Sequence, residues 1–209
     1  MGKRTSYQKR DRDFYPTPYD AVLPLLAHLP GNVQYDEPCC GEDDLIRHLS
    51  SAGHTCVSKG DIVTGQDALE ITHTQADYFI TNPPWTWKTL SPLITRLSGI
   101  RPTWLLLNAD LVHNIRMAKH MQYCIKVVSI GRVSWMQNGK KGFENCAWML
   151  FDRNNTAQTL FYCRSTESTE STVSVLNGDR AVSTESTELS IDIRCTGVTK
   201  RTELRDFGK

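Results

Sequence analysis

Asn82-Pro83-Pro84-Trp85, closing the run Ala76-Asp77-Tyr78-Phe79-Ile80-Thr81, collects the residue types that a flat, amine-bearing ligand needs. Asn82 supplies an amide acceptor, Pro83 and Pro84 fix φ and remove two backbone donors, and Trp85 offers a broad aromatic face. An exocyclic amine can donate to the Asn82 oxygen and to a carbonyl of the proline turn while its ring stacks on Trp85. The same residues would also serve as an ordinary proline turn at the end of a strand.

Three acidic positions occur at comparable points upstream. Asp36 opens Asp36-Glu37-Pro38-Cys39-Cys40-Gly41, which reads as a strand end followed by a glycine turn and the start of a helix. Such a turn places backbone amides and a positive helix terminus near a bound group. Asp61 lies 25 residues after Asp36, close to the offset of about 20 at which an acidic side chain receives ribose hydroxyls in dinucleotide folds. Asp67 follows a further turn, where it can accept from a ring amine or cap the next helix. Further on, Arg132, Lys140 and Lys141 bracket a glycine-containing loop that also holds Trp135 and Phe143. Such a cluster contacts phosphates or forms a solvated basic surface.

These residues need a frame. Thr17 and Pro18, before the run Tyr19 to Leu29, predict a helix with Thr17 as N-cap and Pro18 at its first position, broken or kinked near Pro24. Strands are expected at Val33–Asp36, Cys56–Ser58, Ala76–Thr81, Thr103–Leu107, Ile125–Ile130 and Ala147–Phe151. Helices are expected after Asp44 and from about residue 88 to 97. Strands alternating with helices predict an α/β fold with a mostly parallel, doubly wound sheet, and ligands in such sheets bind beyond the carboxyl ends of the strands. Asp36, Asp61 and Asn82 sit at such ends.

Beyond Tyr162 the chain changes character. It reads Ser-Thr-Glu-Ser-Thr-Glu from 165 and nearly repeats this from 183, with no aromatic residue before Phe207. That composition predicts a flexible tail over 163–209, with room for a short hairpin around Asn177-Gly178-Asp179. The first dozen residues carry Lys3, Arg4, Lys9, Arg10 and Arg12. A basic segment over 1–12, a domain over 13–162 and the tail therefore make up the expected organisation.

Net charge is +1, so overall electrostatics make no case for a nucleic-acid partner. Seven cysteines without a C-x-x-C pair, and histidines without helical i, i+4 pairing, point to reduced thiols and no metal site. No apolar run approaches the ~20 residues of a membrane helix, and a cytoplasmic protein without membrane partner is expected.

Taken in order, Phe14-Tyr15-Pro16-Thr17-Pro18, Asp36 to Glu42, Asp67-Ala68-Leu69 and Asn82 to Trp85 resemble the motifs of S-adenosylmethionine-dependent adenine-N6 DNA methyltransferases, the small phage and prophage type closest. The resemblance covers roughly residues 13 to 151. It implies a Rossmann-like class I methyltransferase fold with an antiparallel final hairpin, S-adenosyl-L-methionine as cofactor and DNA as partner. It further implies that Phe14, Tyr15, Thr17 and Pro18 hold the methionine part of the cofactor over the turn containing Asp36, Pro38 and Gly41. Asp61 would receive the ribose, Asp67 the adenine amine, and Asn82 to Trp85 the flipped target base. Arg132, Trp135, Lys140, Lys141 and Phe143 would approach the target from the late loop and hairpin. The activity implied is methylation of adenine in DNA, protecting phage DNA from restriction. Two departures stand out. Asp43 replaces the second glycine of the cofactor turn, where a β-carbon and a negative charge would crowd it, and no target-recognition insert is visible. A non-catalytic methyltransferase-like DNA-binding protein, or an RNA or protein-amide methyltransferase, are the alternative readings.

Overall fold

A computed structural model describes residues 15–155 and 157–164. Phe14, the basic segment over 1–12 and the hairpin expected near Asn177 lie outside the described residues.

The chain runs through α1 (Tyr19–Leu26), β1 (Gln34–Glu37), α2 (Asp44–Ser51), β2 (Thr55–Lys59), β3 (Tyr78–Thr81), α3 (Trp87–Ser98), β4 (Thr103–Asn108), α4 (Ala118–Met121), β5 (Cys124–Arg132), β6 (Asn145–Phe151) and β7 (Leu160–Tyr162). The strands form one sheet in the order β2-β1-β3-β4-β6-β5-β7. β2, β1, β3 and β4 are mutually parallel, and β6 is antiparallel to both neighbours. This is the Rossmann-like, mostly parallel sheet with an antiparallel final hairpin expected of a class I methyltransferase fold. The short β7, paired in parallel with β5, has no counterpart in the sequence reading, because Leu160-Phe161-Tyr162 is too brief to show a period.

The sheet is buried on two faces by alternating side chains of β4. Trp104 and Leu106 face α1 and α2, joining Ala21, Val22, Leu25 and Leu49. Leu105 and Leu107 face α3, joining Leu90 and Ile94. Coverage of both faces explains why Trp104-Leu105-Leu106-Leu107 is uninterrupted by polar residues. Trp148 in β6 donates its indole N–H to the Ala21 carbonyl at 2.7 Å, fixing α1 against the sheet. The segment preceding α1 is thereby carried over the carboxyl end of β3.

α1 begins one residue later than the sequence suggests. Pro18 is the N-cap and makes no side-chain cap bond, so Thr17 is not the cap. Its hydroxyl bonds to Asn82 instead, as described below. Pro24 lies inside the helix, which ends two residues later at Leu26, in keeping with the break expected there.

Candidate functional site

The carboxyl ends of β1, β2 and β3, together with Tyr15, Pro16 and Thr17, enclose a cavity of about 290 Å³. Its remaining wall comes from the turn Cys39–Glu42, Asp44 and Leu45 at the start of α2, Asp61 to Val63, Asn82 and Pro84.

The turn after β1 is held by backbone bonds to β2. Gly60 N–H donates to Glu37 O and Cys40 N–H to Gly60 O, both at 2.9 Å. Gly41 N–H donates to Asp61 Oδ2 at 3.1 Å, while Asp61 Oδ1 accepts from Val63 N–H at 2.8 Å. Asp61 thus joins the two strand ends, and the remaining lone pairs of its carboxylate are left to receive hydroxyl groups. Asp43 sits in the left-handed region at φ 66°, the conformation for which glycine is the least strained residue. Its carboxylate takes Lys59 Nζ at 2.6 Å, and that hydrogen bond holds it below the ordinary carboxylate range. Asp43 does not line the cavity. It therefore preserves the backbone shape that a second glycine would give, with its charge turned onto Lys59.

The acidic residue that reaches the cavity from β1 is Glu37, not Asp36. β1 extends one residue further than the sequence suggests, and alternation along the strand sends the two side chains to opposite sides. Asp36 accepts from the Thr74 hydroxyl. With Pro38 and Asp67 it lines a neighbouring cavity of about 310 Å³, in whose wall Glu37 also stands. Asp67 accepts from Leu69 N–H at 2.9 Å, the helix-capping alternative noted above. Of the nine residues expected to hold a cofactor, Tyr15, Thr17, Gly41 and Asp61 share the first cavity, and Asp36, Pro38 and Asp67 line the second. Pro18 lines neither.

Glu37 is 1% exposed. Its Oε1 accepts from Cys39 N–H at 3.0 Å, whereas Oε2 is buried without a hydrogen-bond partner. Burial pushes its pKa up to about 8, the neighbouring Thr81 hydroxyl and Cys39 N–H acting in the opposite sense. A buried acid in the cavity wall, neutral below that pKa, would ionise beside a cationic ligand. The strand period could have identified Glu37, since only one of two adjacent carboxylates can face the turn.

Asn82 is oriented by the segment before α1. Its Nδ2 donates to Tyr15 O at 3.3 Å and to Thr17 Oγ1 at 3.1 Å. With both amide hydrogens committed, Oδ1 is the part of Asn82 left for a ligand. Pro83 and Pro84 add carbonyl acceptors and no donors. The turn is built to receive hydrogens.

Trp85 is more enclosed than an open platform. Its indole N–H donates to Leu106 O at 2.9 Å, and the Trp135 ring meets it edge-on with centroids 5.7 Å apart. Trp135 also lies 6.0 Å from Tyr15, so the hairpin between β5 and β6 closes over the same corner. That hairpin is shaped by Gln137 at φ 50° and Gly139 at φ 75° and by Gly142 N–H donating to Val133 O at 2.8 Å. Arg132, Lys140, Lys141 and Phe143 are exposed around it.

Among the described residues no group of three or more His, Cys, Asp or Glu could hold a metal ion, and no helix is long and apolar enough to cross a membrane.

No family model matches the sequence and no curated protein matches it. Solved structures similar to it include a candidate RNA methyltransferase from Pyrococcus horikoshii, 12% identical, covering 68% of this chain and 87% of that one at a TM-score of 0.46. A dimethyladenosine transferase from Plasmodium falciparum is 14% identical, covering 66% of this chain and 62% of that one, less than two thirds of its length, at 0.41. The 23S rRNA methyltransferase ErmE is 13% identical, covering 71% of each chain at 0.44.

Proposed function

We propose that the chain transfers a methyl group from S-adenosyl-L-methionine to the N6 amine of adenine in DNA. The observation that carries the reading is the fixed orientation of Asn82, whose amide hydrogens are both held by Tyr15 and Thr17. Only its acceptor oxygen is then offered beside the proline carbonyls, and a neutral exocyclic amine has two hydrogens to give.

The cavity next to this turn fits the cofactor in charge. Glu37, Glu42, Asp44 and Asp61 line it, and among the described residues no lysine or arginine does. Glu37 lines this wall with its carboxyl group buried, and an ammonium or sulfonium group beside these acids is favoured electrostatically. Asp61 would take ribose hydroxyls, and the exposed Ile62 and Val63 would gain cover from the adenine ring. The bound cofactor supplies an electrophilic methyl on a positively charged sulfur.

The protein's task is positioning. Asn82 Oδ1 and a proline carbonyl hold the two amine hydrogens, so the nitrogen lone pair is drawn out of conjugation and aimed toward the cofactor cavity. No strong general base is required, because the methylated amine is acidic enough to lose its proton to water. Trp85 and Trp135 confine the base, and Arg132, Lys140, Lys141 and Phe143 contact the flanking strand. Marking phage DNA against host restriction is the biological role this chemistry serves.

Incubating the purified protein with labelled cofactor and unmethylated duplex tests the proposal. N6-methyladenine should form, and Asn82→Ala should abolish it while the protein still folds, its melting temperature lowered by a few degrees through loss of the bonds to Tyr15 and Thr17. Label found only in RNA or protein would overturn the DNA assignment.

A further inference from the structure

The loops at the carboxyl end of the sheet divide by charge on either side of Asn82. Toward β1 and β2 the cavity wall is acidic, as described. Beyond Trp85, His113, Arg116 and Lys119 are exposed beside one acid, Asp110, on the connection between β4 and β5, and Arg132, Lys140 and Lys141 beside one acid, Glu144, on the hairpin between β5 and β6, so cations prevail on this side. The ion pairs among the described residues, Arg47 with Asp44 and Lys59 with Asp43, involve none of these cations.

Both basic loops reach the apolar packing around Trp85 and Trp87. Trp135 of the hairpin meets Trp85. The β4–β5 connection places Leu111 and Val112 against the apolar cluster that Trp85 and Trp87 also join, and the His120 ring lies 5.9 Å from Trp87. The two loops therefore flank the Asn-Pro-Pro-Trp turn.

The connection presents one residue in an unusual way. Ile115 is 85% exposed, although it is bracketed by a tightly held backbone. Asn114 Oδ1 accepts from Arg116 N–H at 3.0 Å, Asn114 O accepts from Met117 N–H at 2.8 Å, and Met117 is fully buried. The buried methionine and the asparagine turn hold Ile115 outward between His113 and Arg116. An apolar side chain raised among unpaired cations matches a nucleic-acid strand, whose phosphates meet the cations while a base or sugar face covers the apolar group. The acidic wall on the other side of Asn82 repels the same strand, which leaves only the β4 to β6 side for its path.

We propose that the connection carrying His113, Ile115, Arg116 and Lys119 is a second nucleic-acid contact surface, and that the strand bearing the target base runs between it and the β5–β6 hairpin. The proposal rests on the nucleic-acid reading of the site and extends it to residues with no role in the transfer step.

Fluorescence anisotropy of the full chain, without cofactor, on a labelled adenine-containing oligonucleotide tests this. The double variant Arg116→Ala, Lys119→Ala should bind about tenfold more weakly at low salt, with a log–log salt slope smaller by about 1 to 2. Ile115→Ser should weaken binding with the slope unchanged. Both should melt as the wild type does. Wild-type affinity and slope in the double variant, beside weakened binding by Lys140→Ala, Lys141→Ala, would overturn the second surface while leaving the methyltransferase reading intact. Tighter binding of poly-glutamate than of the oligonucleotide, lost in the double variant, would overturn it in favour of an acidic protein partner. Failure of the methyltransferase reading is seen separately, as absence of methylated product from a wild-type protein that still binds the oligonucleotide.

Discussion

The Thr17 hydroxyl accepts a hydrogen bond from the Asn82 side-chain amide at 3.1 Å, across 65 residues of sequence. This single contact ties the segment before α1 to the turn after β3 and decides which end of the Asn82 amide faces a ligand. Thr17 is 4% exposed, so the bond is sheltered from competing water.

Thr17→Val should therefore free the amide to rotate at a cost of about 1 to 2 kcal/mol in stability. Methyl transfer should fall at least tenfold in kcat with little change in cofactor affinity, and Thr17→Ser should restore most of the loss. Equal losses in the serine and valine variants would show that packing, not the hydrogen bond, is what Thr17 supplies.

Asp43→Gly separates the two readings of the cofactor turn. Glycine relieves left-handed strain of about 1 kcal/mol but removes the contact with Lys59. These oppose one another, so stability should change little. Titration calorimetry should give a cofactor affinity within about threefold of the wild type, because the Asp43 charge is spent on Lys59. A large gain in affinity would mean that Asp43 does oppose the cofactor.

Glu37 sets a pH dependence. Its folded-state pKa, raised by burial to about 8, lies above that of an unfolded glutamate, so its contribution to stability is full at acid pH and is lost as pH rises through 8. Without cofactor, Glu37→Gln should melt increasingly above the wild type between pH 5 and pH 9, values bracketing that pKa. A cationic ligand favours the ionised acid. Cofactor affinity of the wild type should accordingly rise with pH and level off near 8, and the variant should bind weakly with a flatter profile. Coincident melting curves across the range would place Glu37 in water rather than in the core.

Trp85 and Trp135 differ in what they support. Trp85→Phe loses the bond to Leu106 O but keeps a ring, and it should retain transfer within about tenfold. Trp135→Ala removes the ring that covers Trp85 and should raise KM for the oligonucleotide more than it lowers kcat. An unchanged KM would exclude Trp135 from the substrate's path.

The sheet was legible because period and punctuation agree along it. Trp104 to Leu107 could only be a strand covered on both faces, and Asn82-Pro83-Pro84 could only end one. Local residues said less where the outcome depends on distant partners. Thr17 has the chemistry of a helix cap, and only Asn82, brought beside it by the Trp148 to Ala21 bond, gives its hydroxyl another use. Asp36 and Glu37 are equal by type, and one residue of strand length decides which faces the turn. Asp43 looks obstructive in sequence because Lys59, 16 residues on, is the partner that turns its charge aside.

Asn82 is proposed to receive the amine of adenine in DNA. Nucleoside analysis of DNA and RNA from cells expressing the wild type or Asn82→Ala tests it most directly. DNA from cells with the wild type should contain N6-methyladenine, and DNA from cells with the variant none above background. Equal N6-methyladenine in both, or a methylated nucleoside confined to RNA, would contradict it.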